Sequence, residues 1–455
     1  MRARTGGLMR IIVIGAGEVG SYVAERLSLE DHDVALVDRD PRRLSEMEAR
    51  LDALTIRGSG TDPETLASAG AARADLVVAM TDDDEVNLVS AILAKNAGAQ
   101  RTVVRIQSRA LREVVLRDLW RSMPVDVVID PDEETGTEIL ELIENPGAIE
   151  VEEMAGGEIL VLGVRLAPDA PVVGQTLRDI GEMHEPSWPY LFGIITRGGE
   201  TIIPRGNQRL EAGDLVRVVC MRHTRAQLAS LLGLRKTVPR RIMLFGGGRT
   251  AELVAERLVD RADHVAIVER DPERATELAE RLPGVYILLG DVTDADFLGE
   301  IDVGLYDIVA ALTGDDDANT LACLYARSAG VDETIAVAHR LSVLPLLAQV
   351  GIDVALSPRT ATANAVLRLS RGDVAAVATF LRGDVEVLEL EVSADSPAAG
   401  KTLRELRLPK DVLVGAVLSG ATASIGRGNT RLEAGDHVVV LAKPRSLPDA
   451  KRAFG

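Results

Sequence analysis

The 455-residue sequence predicts an α/β protein: two tandem copies of a doubly wound parallel sheet, each followed by a small α+β subdomain. Three observations predict it. The chain repeats itself in order, short β-branched runs alternate with amphipathic helical segments, and each copy opens with a strand, a glycine-rich turn and a helix.

The repeat sets the architecture. IIVIGAGEVGSYVAERL at 11–27 aligns with IMLFGGGRTAELVAERL at 242–258, and VALVDRDP at 34–41 with VAIVERDP at 265–272. RGSGTDPETL at 57–66 matches LGDVTDADFL at 289–298, and DLVVAMTDDDEVN at 75–87 matches DIVAALTGDDDAN at 307–319. Later, GQTLRDI at 174–180 matches GKTLREL at 400–406, and RGNQRLEAGD at 205–214 returns as RGNTRLEAGD at 427–436. Matching segments in one order, with a slowly drifting offset, mean tandem duplication. Four domains follow: 9–135 and 240–362 for the sheets, 148–232 and 374–455 for the small subdomains.

In the first copy the strands read RIIVIGA, DVALVD, ALTIRG, LVVAM, TVVRI and VDVVI. Their apolar residues run on without alternation, as in strands covered on both faces. EVGSYVAERLSL and PETLASAG between them are amphipathic, so strands and helices alternate and the sheet is expected to be parallel. From 149 to 220 the pattern changes to the short strands IEVEEM, ILVLGVRL and LVRVVC, interrupted by the helix QTLRDIGE. LEAGD reads as a turn, with Gly213 permitting a tight bend before VRVVC, and LEAGDHVVVL repeats it. RGNxRLEAGD is therefore expected to be a structural turn rather than a binding site.

GAGEVG at 15–20 carries the chemistry. Gly15 permits the tight turn, Gly17 lets a pyrophosphate approach the backbone, and Gly20 lets helix and strand pack closely. N–H groups at the helix start hold the diphosphate. Asp38 ends the second strand, 23 positions beyond Gly15, where a carboxylate takes the adenosine ribose hydroxyls. A carboxylate there disfavours a 2′-phosphate, so NAD is expected over NADP. Arg39 stands where it can stack over adenine, and Asp40-Pro41 reads as a helix cap. These features make the sheets Rossmann-like.

The second copy reads GGGRTA at 246–251: Gly246 and Gly248 stay, and Ala251 replaces the third glycine. Glu269 falls 23 positions beyond Gly246. A dinucleotide, a mononucleotide and an empty site all remain open there. Thr81 and Thr313 fall at strand ends facing the crevice of such a sheet. The acids after them suit a helix N-terminus, which places the ribose or adenine half nearby rather than phosphate. Arg105 is placed to reach a phosphate, and its counterpart is Val337. DPDEE at 130–134 is expected to be a solvated helix start.

Composition narrows the function. The net charge of −19 opposes binding to duplex phosphates or to an anionic bilayer. Aromatics at 3% leave little for stacking on single strands. Two cysteines, Cys220 and Cys323, make no disulfide framework and suit a reducing cytosol. The longest apolar candidate, VAAVATFL at 374–381, is strand-sized, and MRARTGGLMR lacks the apolar core of a signal peptide. Membrane work is thus expected through a partner. The six histidines form no cluster, no tyrosine has a lysine four positions on, and no nucleophile elbow or metal spacing occurs. Binding itself is the expected output rather than catalysis.

With GAGEVG after the first strand, LVDRDP, AMTDDDEVN, ALTGDDDAN and the RLEAGD turns, the chain resembles the TrkA family from Met9 onward. These are cytosolic regulatory subunits of Trk-type bacterial potassium uptake systems, built of RCK (regulator of potassium conductance) domains. The resemblance implies binding of NAD(H) and of adenine nucleotides such as ATP or ADP. It implies a homo-oligomeric ring, a tetramer, held at the inner face of the cell membrane by an integral potassium-translocating subunit. It places nucleotide contacts on Gly15, Ala16, Gly17, Glu18 and Val19, with Asp38, Thr81, Asp82 and Arg105. In the second half it places them on Gly246, Gly247, Gly248, Arg249 and Thr250, with Glu269 and Thr313. Two readings stand beside it: an NAD-dependent oxidoreductase, and a subunit gating another ion pathway.

Overall fold

The computed structural model describes residues 9–29, 32–51, 53–114, 124–183, 188–234, 239–370, 374–379 and 385–455. The first sheet comprises β1 (Arg10–Ile14), β2 (Asp33–Asp38), β3 (Leu54–Arg57), β4 (Leu76–Ala79), β5 (Arg101–Arg105) and β6 (Val127–Ile129). Helices α1 (Glu18–Leu29), α2 (Pro41–Glu48), α3 (Pro63–Ala69), α4 (Asp84–Ala97) and α5 (Arg109–Val114) lie between these strands, and α6 (Pro131–Glu144) follows β6. Every pairing is parallel, in the order β3-β2-β1-β4-β5-β6. Local chemistry starts the helices. Asp40 and Asp62 cap α2 and α3 ahead of a proline, and Asp83 caps α4 by accepting from the Val86 amide.

A five-stranded antiparallel sheet follows: β7 (Glu150–Met154), β8 (Ile159–Arg165), β9 (Tyr190–Arg197), β10 (Glu200–Ile202) and β11 (Leu215–Met221). Helices α7 (Leu177–Glu182) and α8 (Arg225–Leu232) complete this subdomain.

The second parallel sheet repeats the first. Its strands are β12 (Arg241–Phe245), β13 (His264–Glu269), β14 (Tyr286–Leu289), β15 (Ile308–Ala311), β16 (Glu333–Val337) and β17 (Val354–Leu356), in the order β14-β13-β12-β15-β16-β17. Its helices are α9 (Arg249–Leu258), α10 (Pro272–Arg281), α11 (Ala295–Glu300), α12 (Asp316–Ser328), α13 (Leu344–Gln349) and α14 (Pro358–Ser370). The last sheet joins β18 (Val374–Thr379), β19 (Glu386–Glu391), β20 (Val412–Ser419), β21 (Thr422–Ile425) and β22 (His437–Ala442), with α15 (Leu403–Leu406) and α16 (Leu447–Phe454). The apolar run at 374–381 thus contains the strand β18, while Phe380 and Leu381 lie outside the described residues.

Contacts divide the chain into two compact units, and neither is a half of the sequence. One combines residues up to 134 with 359–377, and the other combines 135–358 with 378–455. In the first unit α14, encoded after the second sheet, covers the first sheet. Its Ala363, Val366 and Leu367 join Ile11, Val13 and Leu36 in one apolar cluster. Arg368 reaches Glu134 at 2.6 Å, and Arg101 donates to the Leu369 carbonyl at 3.1 Å. In the other unit, Ile139, Leu142 and Ile143 of α6 pack with Leu244, Val254 and Leu258 of the second sheet layer. Arg261 bonds Glu144 there at 2.7 Å.

The two antiparallel sheets pack face to face within the second unit. Gly193 and Gly415 allow the close approach: a Cβ on either would lie within 3 Å of Leu441 or Val219. Arg217, 1% exposed, forms a two-pronged bond with Glu150, at 2.8 and 3.0 Å.

The doubled RLEAGD segment is a turn, as its residues imply. Gly213 and Gly435 have φ of +84° and +88°. Asp214 and Asp436 are buried and accept from the Glu211 and Glu433 amides at 2.9 and 2.8 Å. Arg209 and Arg431 donate to the Gly174 and Gly400 carbonyls. The acidic run DPDEE starts a helix as expected, with Glu133 exposed, but its first acid departs from the solvated reading. Asp130 is 5% exposed and paired with Arg112. Burial pushes the Glu134 carboxyl up, against the pull of Arg368.

Candidate nucleotide site

The first crevice opens where β1 runs into α1. Gly15 has φ +105°, and a Cβ there would come within 3.1 Å of the Met80 carbonyl and the Thr81 amide. Its N–H donates to the Val37 carbonyl at 2.8 Å, tying the turn to β2. Gly20 faces back, and a Cβ on it would stand 1.9 Å from the Gly15 oxygen. Gly17 faces open space, with only the Arg43 guanidinium at 3.9 Å from such a Cβ. A diphosphate can enter that cradle and a side chain would fill it, and the amides of a helix's first turn favour an anion.

Asp38 closes β2 beside the loop. One carboxylate oxygen accepts from the Ala16 amide at 2.6 Å and the other from the Asp40 amide at 2.7 Å. Each oxygen keeps a lone pair for a ribose hydroxyl. Ala16 is buried, and Val19 packs on the apolar cluster under α1. Glu18 is half exposed and pairs with Arg359 of α14. Arg39 donates to Ser59 Oγ at 2.7 Å.

Thr81, Asp82 and Arg105 come together where β4 and β5 end. Arg105 Nη1 donates to the Thr81 carbonyl at 3.0 Å and lies 3.9 Å from the exposed Asp82 carboxylate. A fully buried Asn87 organises them. Its Oδ1 accepts from the Thr81 amide and hydroxyl at 2.8 and 2.7 Å. Its Nδ2 donates to the Thr81 and Arg105 carbonyls at 2.9 and 3.0 Å.

The second crevice keeps the frame and changes the charges. Gly246 has φ +93° and donates to the Val268 carbonyl at 2.8 Å. Glu269 repeats Asp38, accepting from the Gly247 and Asp271 amides at 2.7 and 2.8 Å. A Cβ on Gly248 would meet nothing within 4 Å, so this loop also has an open cradle. Ala251 is fully buried in α9, accommodated where the first copy has glycine. Arg249 replaces Glu18, with Thr250 beside it. Arg274 donates to the Gly247 carbonyl at 2.8 Å and, with Arg281, holds the buried Glu252. Thr313 bonds Asn319 through its amide and hydroxyl, at 3.0 and 2.6 Å. Val337 supplies Asn319 with a carbonyl and no guanidinium. Burial would raise the Asp316 carboxyl, but amide and guanidinium donors from His339 and Arg340 outweigh it and hold it below its ordinary value.

Residues 11–131 and 242–358 match the TrkA-N domain family, and 161–233 and 387–455 match the TrkA-C domain family. The chain is 34% identical to the Trk system potassium uptake protein TrkA of Haemophilus influenzae, over 98% of both chains. It is 35% identical to the TrkA homolog of Archaeoglobus fulgidus, over 98% of this chain and 100% of that one. The chain belongs to the TrkA family. Its fold is also that of the GsuK RCK domain, at a TM-score of 0.58 and 18% identity, over 100% of this chain and 98% of that one. The GsuK channel bound to NAD gives 0.58 at 17% identity, over 99% and 80%. At such identities the likeness is one of fold.

Three features of this TrkA-family chain were not read from its sequence. Asn87 and Asn319 end the two TDDDEVN-like segments, so the repeat itself marks them. Glu252 with its two arginines, and His339 beside Asp316 at 3.1 Å, join residues far apart in sequence and carry no local signal. Among the described residues no group of His, Cys, Asp and Glu could hold a metal ion.

Proposed function

We propose that this chain is a cytosolic regulatory subunit of a potassium uptake system. It binds NAD(H), or ATP or ADP in its place, and passes occupancy to an integral potassium-translocating subunit. The observation that carries this is the open Gly17 cradle beside Asp38, in a chain aligned end to end with named potassium uptake proteins. The diphosphate lies on the start of α1, the ribose on Asp38, and the rest of the ligand against Thr81, Asp82 and Arg105. The Gly246–Thr250 loop with Glu269 and Thr313 forms a second site of different charge.

Binding rather than turnover is the output, because the groups gathered at the first loop are suited to holding phosphate and ribose. The ring is a homotetramer, placed at the inner face of the membrane by its partner. Among the described residues no helix is long and apolar enough to cross a membrane.

Titration calorimetry with NAD+, NADH, ATP and ADP, on wild type and Asp38→Ala, tests the reading. Binding without consumption is expected, weakened about tenfold or more in the variant. A wild type that binds none of the four would overturn it.

A further inference from the structure

We infer that Arg359, encoded in the second half of the chain, belongs to the first nucleotide site and sets its affinity for the diphosphate. The inference rests on the nucleotide reading above. Glu18 is the fourth residue of GAGEVG and the first of α1, beside the cradle left open by Gly17. An acid at that place repels the phosphate that the loop otherwise attracts. Arg359, near the start of α14, lies against Glu18 and is one-third exposed. It is not there by accident of a mobile side chain. Ala363, Val366 and Leu367 anchor α14 in the apolar cluster of the first sheet, and Arg368–Glu134 fixes its far end.

The repeat reverses both charges. Arg249 stands where the first loop has Glu18, and Asp132 stands where α14 has Arg359. A helix seated on the loop of its own half would therefore bring like charges together: Asp132 to Glu18, or Arg359 to Arg249. The pairing of Glu18 with Arg359 is thus written into the sequence as a choice of partner.

Without ligand the two charges neutralise each other. A diphosphate arriving at α1 competes with Glu18 for the guanidinium, and Arg359 turns to the anion with a charge-assisted bond. Occupancy and the seating of α14 are then linked, each changing the other by the same factor. The segment after the second sheet reports on the first site.

The test is calorimetric titration of the full-length chain with NADH and ADP, on Arg359→Ala, Glu18→Gln and the double variant, with melting curves for each. Arg359→Ala is expected to weaken binding about tenfold, Glu18→Gln to tighten it several-fold, and the double variant to return near wild type. The decisive arm is Arg359→Ala in the Glu18→Gln background, where no ion pair is left to lose and a several-fold weakening relative to Glu18→Gln can come only from the guanidinium at the ligand. If wild type binds and adding Arg359→Ala to Glu18→Gln leaves affinity unchanged, Arg359 is outside the site and the inference fails. If wild type itself does not bind, the nucleotide reading fails first. Should Arg359→Ala melt too low to titrate, Arg359→Lys keeps the charge, and it is expected to bind more tightly than a charge-neutral Arg359→Gln. Equal affinities for those two variants would also overturn the inference.

Discussion

Gly17 and Gly20 lie three residues apart and are expected to fail in different ways. A methyl on Gly20 would sit 1.9 Å from the Gly15 oxygen, so Gly20→Ala must push strand and helix apart. A loss of about 1–3 kcal/mol in denaturant melts is expected. Gly17→Ala places its methyl in open space and should leave stability within about 0.5 kcal/mol, yet abolish nucleotide binding by filling the cradle. Normal binding by Gly17→Ala would show that the phosphate does not approach this loop. His264 provides a pH prediction. Its Nε2 lies 2.8 Å from the Tyr306 hydroxyl, and burial, then the nearby Arg241, hold its pKa below 6.5. The folded state therefore favours neutral imidazole. As pH falls below 6.5 the unfolded chain takes up the proton first, and stability declines. Melting temperature against pH should show a shallower acid slope in His264→Gln than in wild type; identical slopes would contradict this. The two cysteines are buried, their thiols pushed up to about 12, so maleimide should label neither until the protein unfolds.

At the scale of elements, Asn87 ties the ends of β4 and β5 together through four hydrogen bonds. Asn87→Ala takes one donor from each of the part-buried Thr81 and Arg105 carbonyls, and a loss of about 1–3 kcal/mol is expected. Hydrogen exchange should speed at the Thr81 amide and spare the β7–β11 sheet. Uniform acceleration would mean that the asparagine supports the whole fold instead. The sequence showed the glycine turns, Asp38, Glu269 and the aspartate caps, because each acts within one strand–turn–helix. It placed Arg105 by its position at the end of the fifth strand. It did not show Asn87, whose value depends on a carbonyl 18 positions away on the neighbouring strand. It misread Asp130 as solvated, because the Arg112 that buries it arrives from another helix.

At the scale of the molecule, the duplication was plain in the sequence and the exchange of helices was not. α6 and α14 follow the two sheets at matching places in the repeat, and each helix has a face to bury. The two sheets repeat each other, so periodicity does not say which one receives it. The exchange predicts that the first half is not a complete unit. A fragment spanning 9–232 lacks α14, leaving the Ile11, Val13 and Leu36 cluster without its cover. Such a fragment is expected to self-associate in sedimentation experiments. A monomer melting at the temperature of the full chain would contradict the division of the structure.

The exchanged helix also puts a clock on synthesis. Residues up to 134 leave the ribosome well before Pro358–Ser370 is made. At roughly 5–20 residues per second, the first sheet waits on the order of ten to fifty seconds for its covering helix. Throughout that interval the nascent chain carries an open apolar face that nothing yet translated is built to close. Until the second half arrives, the first sheet therefore keeps an apolar face that its own chain has not closed.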